Sequence, residues 1–395
     1  MKMHKLRTPH ISKEGSIFSW TALIYGIGIG LLLPIFPTFV EGIVQNESYV
    51  GYFYSSMALA MVLGGFLSAY LYKRFSRLQI AGFFFVVCAL STMFLVFVTN
   101  FYELFALSFV KVFAGLLVTM SLSLMIHDYT ASKSLGKTEG VFFLFSNIGW
   151  LVGPLLGGVI ARFMGYEPVF ALAGLSFLFG LLYLSHQKFV SKNPVLYVPK
   201  KKRVSGQLLS RAKGFFSSPS RVGSYFVAIS FMLWTTFKVL VIPLFVIRMG
   251  YGSDTSGLLL SLSILPFIFF EIPVGIYADK FGVRKPIIFG FLIIGVFSLG
   301  VFFSPIFFLD ALFIILANIG ASFIEPLHDL YFFKTVNEKE EDDYYGIFVT
   351  ADPIAKFLAP AIVSTSLLLM PFEFVFVVFG VIFLVSAGVA TMIKH

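Results

Sequence analysis

The chain has 395 residues, of which 58% are hydrophobic and only 12% are charged, and its formal net charge is +9. Its mean hydropathy is +0.92, and a water-soluble domain of this size would need far more charge on its surface. This composition excludes an ordinary soluble protein and indicates a protein embedded in a membrane.

Apolar runs of about 20 residues recur along the chain, which is the length that a helix needs to cross roughly 30 Å of hydrocarbon. In lipid such runs must be helical, because only a helix satisfies its own backbone polar groups. Strands of a membrane β-barrel would instead be about 10 residues long with alternating polarity. We therefore predict an all-α membrane protein with twelve transmembrane helices. The predicted spans are 17–40, 49–72, 78–98, 102–128, 139–163, 168–187, 222–247, 255–278, 286–303, 307–328, 345–369 and 373–393.

Lys and Arg are distributed very unevenly among the loops. Almost all of the 29 lie in the two terminal segments or in loops that follow even-numbered spans, whereas the opposite loops hold only Arg162 and Arg248. The positive-inside rule then predicts a protein of the cytoplasmic membrane with both termini in the cytoplasm. The same bias accounts for the net charge, so we expect no nucleic-acid partner.

A basic segment, 188–221, separates two predicted six-helix bundles, 1–187 and 222–395. The segment has nine Lys or Arg residues and no acidic residue. Part of it, GQLLSRAKGFF, is compatible with a short interfacial helix whose Leu and Phe side chains lie among lipid headgroups. A solvated linker that only fixes the topology is the alternative.

The two halves match at a constant offset of 206 residues. The matching pairs include Pro37 and Pro243, Gly51 and Gly257, Gly140 and Gly346, and Pro154 and Pro360. A constant offset through five spans predicts two bundles related by a pseudo-two-fold axis along the membrane normal. Membrane proteins built in this way place a substrate near the midplane, between the halves.

The fifth span carries small residues at regular spacing. In the stretch EGVFFLFSNIGWLVGPLLGG these are Gly140, Gly149, Gly153, Pro154, Gly157 and Gly158. Such spacing leaves a groove in which another helix packs closely, and proline favours a bend. The pattern G-x8-G-x3-G-P-x2-G-G resembles the fifth-helix motif of proton-coupled exporters in the major facilitator superfamily. The resemblance implies a gating helix that slides against the other half, and ordinary helix packing is the alternative.

The loop after span eight reads GIYADKFGVRKP and is similar to a cytoplasmic loop signature of the same superfamily. The matching residues are Gly275, Asp279, Lys280, Gly282, Arg284 and Lys285. Gly282 allows a tight turn, and Asp279 is expected to bind a basic partner or a helix N-terminus as a cytoplasmic latch. The equivalent first-half loop departs from the signature, because Lys73 stands where the acid would map and Ser76 where the glycine would.

Two further patterns agree with this resemblance. Span one contains Gly28, Pro34 and Pro37 at the spacing of the first-helix motif of twelve-helix exporters, and span four has Lys111 where the family usually has arginine. The resemblance implies a secondary transporter that moves a small molecule by alternating access, with proton-coupled export as the expected mode. It implies no cofactor, no catalytic residue and no metal site. A lipid or sugar transporter of the same fold, or a non-transporting receptor or assembly protein, remains the alternative.

Ionisable residues within the spans are candidates for substrate and proton coupling, because a charge in hydrocarbon costs roughly 2.5–3.5 kcal/mol on insertion scales. Glu271 is the predicted proton carrier, and a helix-packing carboxylate paired with a neighbouring helix is the alternative. Asp352 and Lys356 are four residues apart on one helix face, and they either neutralise each other or line the cavity. Lys111 is expected to attract an anionic substrate or to repel a proton from a partner carboxylate.

Lys238 is a further candidate for substrate and proton coupling, but it is predicted to lie nearer the outer end of its span and to reach the membrane surface with its long side chain. Glu325 is predicted to belong to a cytoplasmic cluster near His127-Asp128 and His328-Asp329, which cap the ends of spans four and ten. A proton relay is the alternative for the two His-Asp pairs.

Overall fold

The structure is a computed structural model that describes residues 13–129, 135–186, 208–337 and 340–393. The N-terminal half contains α1 (Lys13–Leu32), α2 (Phe36–Val44), α3 (Glu47–Arg74), α4 (Arg77–Phe94), α5 (Phe101–Tyr129), α6 (Leu135–Met164) and α7 (Tyr166–His186). A short helix, α8 (Leu208–Phe216), follows. The C-terminal half contains α9 (Pro219–Arg248), α10 (Ser253–Leu262), α11 (Leu265–Phe281), α12 (Arg284–Phe303), α13 (Phe307–Thr335), α14 (Glu341–Phe348), α15 (Ala351–Leu369) and α16 (Phe374–Ala390).

The helices have the lengths that the hydropathy pattern predicts. Among the described residues, eleven helical segments are long and apolar enough to cross a membrane, and the shorter Phe374–Ala390 is the twelfth apolar helix. Large apolar side chains also remain exposed on the outside of the bundle, with Phe66 at 74%, Phe163 at 80% and Phe303 at 77%. A soluble surface does not carry so much apolar area, so this surface suits lipid. The predicted all-α membrane fold is confirmed.

Three of the predicted spans are interrupted near prolines. The first span breaks between α1 and α2, where Pro37 occupies the first turn of α2. The eighth breaks between α10 and α11, where Pro266 lies at the start of α11. The eleventh breaks between α14 and α15, just before Pro353. Proline has no N–H for the preceding turn, so a helix restarts there more readily than it continues.

The same kind of glycine–proline backbone contact joins the two halves at two places. A Cβ at Gly51 on α3 would collide with the carbonyl oxygen of Pro360 on α15. A Cβ at Gly257 on α10 would collide in the same way with the carbonyl oxygen of Pro154 on α6. Both glycines and both prolines are partners at the offset of 206 residues, so the pseudo-two-fold relation holds at this interface.

Further polar contacts join the halves at the same end of the bundle. The Ser55 hydroxyl donates to the carbonyl of Phe357 at 2.8 Å, and the Ser253 hydroxyl donates to that of Gly158 at 3.0 Å. A bidentate contact of 3.0 and 3.1 Å joins Arg248 to the Glu47 carboxylate. We call the side of the bundle that carries these contacts the closed end. The helix α9 finishes there, and α3, α10 and α16 begin there.

Of the two alternatives for the basic segment, the short helix is present as α8 near its end, whereas residues 188–207 lie outside the described part of the chain. Its Phe215 is fully buried and contacts the rings of Tyr225, Phe332 and Tyr344. Arg221 adds to this contact by donating to the carbonyls of the last turn of α8. Phe215 therefore packs against the C-terminal half, which differs from the predicted burial of this side chain among lipid headgroups.

Candidate functional site

A cavity of about 350 Å³ lies between the two halves. The N-terminal half contributes Leu33, at the break between α1 and α2, and Asn147, Trp150 and Pro154 of α6. The C-terminal half contributes side chains from α9, the α10–α11 break, α13 and α15. Its volume is in the range of small-molecule pockets. The breaks beside Pro34 and Pro266 place Leu33 and Ile264 in the cavity wall.

Most of the cavity wall is apolar or aromatic. Phe231 and Met232 of α9 form one part, and Leu260 and Phe267 from the two sides of the α10–α11 break form another. The Trp150 ring lies on the opposite side, on α6. Such a wall accommodates the hydrophobic part of a ligand without selecting strongly for the shape of the ligand. A few polar groups then set the orientation of the ligand.

Four ionisable side chains line this cavity, and all four belong to the C-terminal half. Two of them, Asp352 and Lys356, form an ion pair of 2.9 Å within the first two turns of α15. Their side chains remain 32% and 42% exposed. The two alternatives for this pair are therefore both realised, because the residues bind each other and line the cavity together.

Lys238 is only 7% exposed and lines the cavity at the middle of α9. Its ammonium donates to the Asn318 side-chain oxygen at 3.1 Å and lies 4.6 Å from the centre of the Phe267 ring. The prediction that Lys238 extends to the membrane surface was wrong. The physical reason is that a polar acceptor on a neighbouring helix, which the sequence of α9 does not reveal, holds the ammonium inside the bundle.

Asn318 has its side-chain orientation determined by three hydrogen bonds. The same oxygen that accepts from Lys238 also accepts from the Trp234 indole N–H at 3.2 Å, and the amide nitrogen donates to the carbonyl of Ile314 at 2.8 Å. Exchanging the oxygen and nitrogen would place donors against donors. Asn318 therefore presents its oxygen to Lys238.

Glu325 lies seven residues after Asn318 on α13 and also lines the cavity. Its Oε2 atom is buried and has no hydrogen-bond partner among the described residues. The assignment of Glu325 to a cytoplasmic cluster was wrong, because helix rotation turns it toward the cavity. Its neighbour His328 lies 3.6 Å from Asp329, and the side chains of His127 and Asp128 lie outside the described part of the chain.

Glu271 is on α11, next to the cavity but not in its wall. The side chain is half-buried, and within the described residues it makes no ion pair. It interacts electrostatically with Glu325 across the α11–α13 contact. The predicted proton carrier is thus beside a second carboxyl group that the sequence analysis had assigned elsewhere.

Lys111 lies in the N-terminal half, on α5, outside the cavity wall. Its ammonium is 3.6 Å from the centre of the Phe36 ring, which is a cation–π contact. The part of the chain that the structure describes offers it no carboxylate in ion-pair contact. The structure therefore does not bring Lys111 together with the other four predicted coupling residues.

The small residues of α6 have two different neighbours. Added Cβ atoms at Gly149, Gly153 and Gly157 would collide with the backbone of α1, in the same half, whereas one at Gly158 would collide with Ser253 of α10. The predicted sliding surface therefore reduces to Pro154 and Gly158 at the closed end. Gly140 lies near the start of α6, and its surroundings are outside the described region.

The loop between α11 and α12 has the predicted turn but no formed latch. Gly282 ends α11 with φ +89°, a conformation that favours glycine. Asp279, Lys280, Arg284 and Lys285 are exposed and make no ion pair with any described residue. Gly275 has open space where a Cβ would be. Hydrogen bonds and an ion pair thus join the halves at the closed end, whereas the charged residues of this loop form no ion pair with the described residues of the other half.

Sequence reasoning missed Asn318, Asn147 and Trp150. A usable signal existed for Asn318, because an amide in the middle of an apolar span needs hydrogen-bond partners. No signal in one sequence identified which face of α6 turns toward the cavity.

The family model of the Major Facilitator Superfamily matches residues 18–256 and 226–394. The chain is similar to the class H tetracycline resistance protein of Pasteurella multocida, with 23% identity over 89% of this chain and 88% of that protein. It is also similar to a multi-drug resistance efflux pump of Streptococcus pneumoniae, with 32% identity over 42% of this chain and 43% of the pump. A bacterial homologue of the human lysosomal transporter Spinster, inward-facing and occupied, has the same fold, with a TM-score of 0.79, 13% identity and coverage of 98% of this chain and 97% of that one.

Proposed function

Because the chain belongs to the major facilitator superfamily, we propose that this multi-pass membrane transporter is a proton-coupled exporter of small, amphipathic, drug-like molecules. The observation that carries the proposal is the cavity between the halves. It combines an apolar wall with the Glu325 carboxyl group, whose Oε2 atom has no hydrogen-bond partner among the described residues. The tetracycline resistance and multi-drug efflux relatives support export of such compounds.

Alternating access is the proposed mechanism. The halves are in contact at the closed end through the Gly51–Pro360 and Gly257–Pro154 pairs, while Asp279 makes no ion pair with any described residue of the other half. With the orientation that the positive-inside rule predicts, the closed end faces the outside and the cavity is reached from the cytoplasm. Opening of the closed end, together with closure at the Asp279 loop, would then deliver the substrate outward.

Proton binding is assigned to Glu325 together with Glu271. Two nearby carboxyl groups repel each other when both are charged, so the pair favours holding a proton between them. A substrate in the cavity reaches Glu325, which lines the wall, and a proton bound there competes with it. Coupling of this kind needs only that substrate and proton favour different states of the same carboxyl group.

The proposal is tested with inverted membrane vesicles that contain the purified protein. An acid interior should drive uptake of tetracycline and of ethidium by the wild type. Glu325→Gln should abolish gradient-driven uptake, because a glutamine neither binds nor releases the proton. Exchange of labelled for unlabelled substrate without a gradient should survive at saturating substrate concentration, since the cavity keeps its shape.

Glu271→Gln is the matched comparison, because it makes the same change on the neighbouring helix. Loss of gradient-driven uptake in this variant too would support proton binding by the pair, and unchanged uptake would remove Glu271 from the mechanism. Gradient-driven uptake that survives in Glu325→Gln would contradict the assignment of coupling to Glu325. A wild type that moves neither compound would contradict drug export.

A further inference from the structure

The cavity wall contains two side chains of opposite charge that form no direct ion pair with each other. Lys238 and Glu325 both line the cavity, and they interact electrostatically. They nevertheless form no ion pair among the described residues. Glu325 follows Asn318, the partner of Lys238, by seven residues on α13, which is roughly 10 Å along the helix axis. The two charged groups therefore both line the cavity without forming an ion pair with each other.

Lys238 has only part of the hydrogen bonding that an ammonium can make. An ammonium carries three donors, and the described residues supply one acceptor, the Asn318 oxygen at 3.1 Å. That oxygen also accepts from Trp234, so it is shared. Asp352, the other nearby acid in the cavity wall, is bound to Lys356 at 2.9 Å.

Whereas Lys238 lacks hydrogen-bond acceptors, Glu325 lacks hydrogen-bond donors. Its buried Oε2 atom has no hydrogen-bond donor among the described residues. A buried carboxylate without a donor is costly. The Glu325 side chain as a whole is half-buried and lines the cavity, so a donor in the cavity would bind the carboxyl group from the side that faces the cavity. A purely structural lysine–asparagine contact would explain Lys238 but would leave this second group without a partner.

We infer that the preferred substrate is a zwitterion whose anionic group binds the Lys238 ammonium and whose protonated amine binds the Glu325 carboxylate. The apolar wall formed by Phe231, Met232 and Phe267 takes up the hydrophobic body. This inference deepens the proposed function and rests on it. It also fits proton exchange, because a proton on Glu325 removes the charge that holds the amine.

The test uses three probes that differ by one charged group. They are 3-(1-naphthyl)alanine, which is a zwitterion, 3-(1-naphthyl)propionate, which lacks the amine, and 2-(1-naphthyl)ethylamine, which lacks the carboxylate. Binding to the purified full-length protein is measured by calorimetry at neutral pH. The wild type should bind the zwitterion roughly tenfold or more tightly than either analogue, because each charged hydrogen bond contributes to affinity.

Each variant should remove one half of this preference. In Lys238→Gln the zwitterion should bind no better than the amine, and in Glu325→Gln no better than the propionate. Lys238→Arg keeps the positive charge and should keep most of the preference. Lys213→Gln, which makes the same change on an exposed side chain of α8, should leave all three affinities unchanged.

Equal binding of the three probes to the wild type, or no measurable binding of the zwitterion, would overturn the inference without use of any variant. So would an unchanged preference in Lys238→Gln. The measurement is at equilibrium and needs no turnover. A protein that shows the zwitterion preference but moves no substrate in vesicles would contradict the proposed transport and leave this binding site standing.

Discussion

Asn318 shows how one neutral side chain determines the arrangement of a charged site. It holds the Lys238 ammonium and the Trp234 indole with one oxygen, and its amide group is fixed on the carbonyl of Ile314. Burying an ammonium is costly unless polar groups surround it. Asn318 is therefore a positioning residue, which keeps Lys238 in the cavity wall and prevents it from reaching the membrane surface.

Replacing Asn318 by leucine should destabilise the protein by about 1–3 kcal/mol, because two buried donors lose their acceptor at similar side-chain volume. The free energy of unfolding, measured in detergent, tests this expectation. Ser322→Ala is the control on the same helix, since Ser322 bonds only to the carbonyl of Ile319. Equal stability of Asn318→Leu and the wild type would contradict the positioning role.

At the scale of helices, the closed end depends on the absence of side chains at two related positions. The backbones of α3 and α15 meet at Gly51 and Pro360, and those of α6 and α10 meet at Pro154 and Gly257. Close backbone approach of this kind is the usual way in which membrane helices gain packing contacts. The two contacts hold the halves together without any large interlocking side chain, which favours reversible separation.

Gly51→Ala should therefore shift the population toward molecules that are open at this end. The added methyl group meets the backbone of α15, which cannot turn away as a side chain can, and such overpacking costs about 1–3 kcal/mol. Gly65→Ala is the control on the same helix, because a Cβ there meets nothing within 4 Å.

The opening is measured as the distance between two spin labels placed on opposite halves at the closed end. Gln45 and Met370 are exposed there and suit labelling in a Cys88→Ala background, since Cys88 is the only cysteine. Longer distances in Gly51→Ala than in Gly65→Ala are expected. Identical distance distributions would refute a role of this contact in closure.

For the whole molecule, the ion pair of Arg248 with Glu47 joins the two halves at the rim of the closed end. The side chains are 44% and 30% exposed, and exposed pairs of this kind contribute about 0.2–1 kcal/mol. That is small against global stability, yet it is enough to change the ratio of two conformations by up to about fivefold.

Glu47→Gln should accordingly increase the open fraction at this end with little change in the unfolding temperature. Glu373→Gln is the matched control, because Glu373 also approaches Arg248, at 3.8 Å, but from the same half. High salt should reduce the difference between wild type and Glu47→Gln, since it screens exposed charges. A larger effect of Glu373→Gln would show that the pair does not act between the halves.

Much of this architecture was predictable because it depends on local composition. The twelve apolar segments and the turn at Gly282 each depend on the chemistry of a single stretch. The offset of 206 residues follows from comparing two stretches of the sequence. The break at Pro266 was not predicted, because proline inside a membrane span is tolerated in many settings. Lys238 and Glu325 were assigned incorrectly because their positions depend on other helices.

The sequence by itself determined that the protein spans a membrane, how many times it does so, and that its halves are repeats, because length and hydropathy decide these without reference to neighbours. Only the tertiary structure decided which buried charges meet. The spans are apolar on nearly every side, so no 3.6-residue period shows which face of each helix turns toward the cavity. Helix packing sets that rotation. It brings Lys238 and Glu325 from two helices to the wall of the cavity and places Asn318 within hydrogen-bond distance of Lys238.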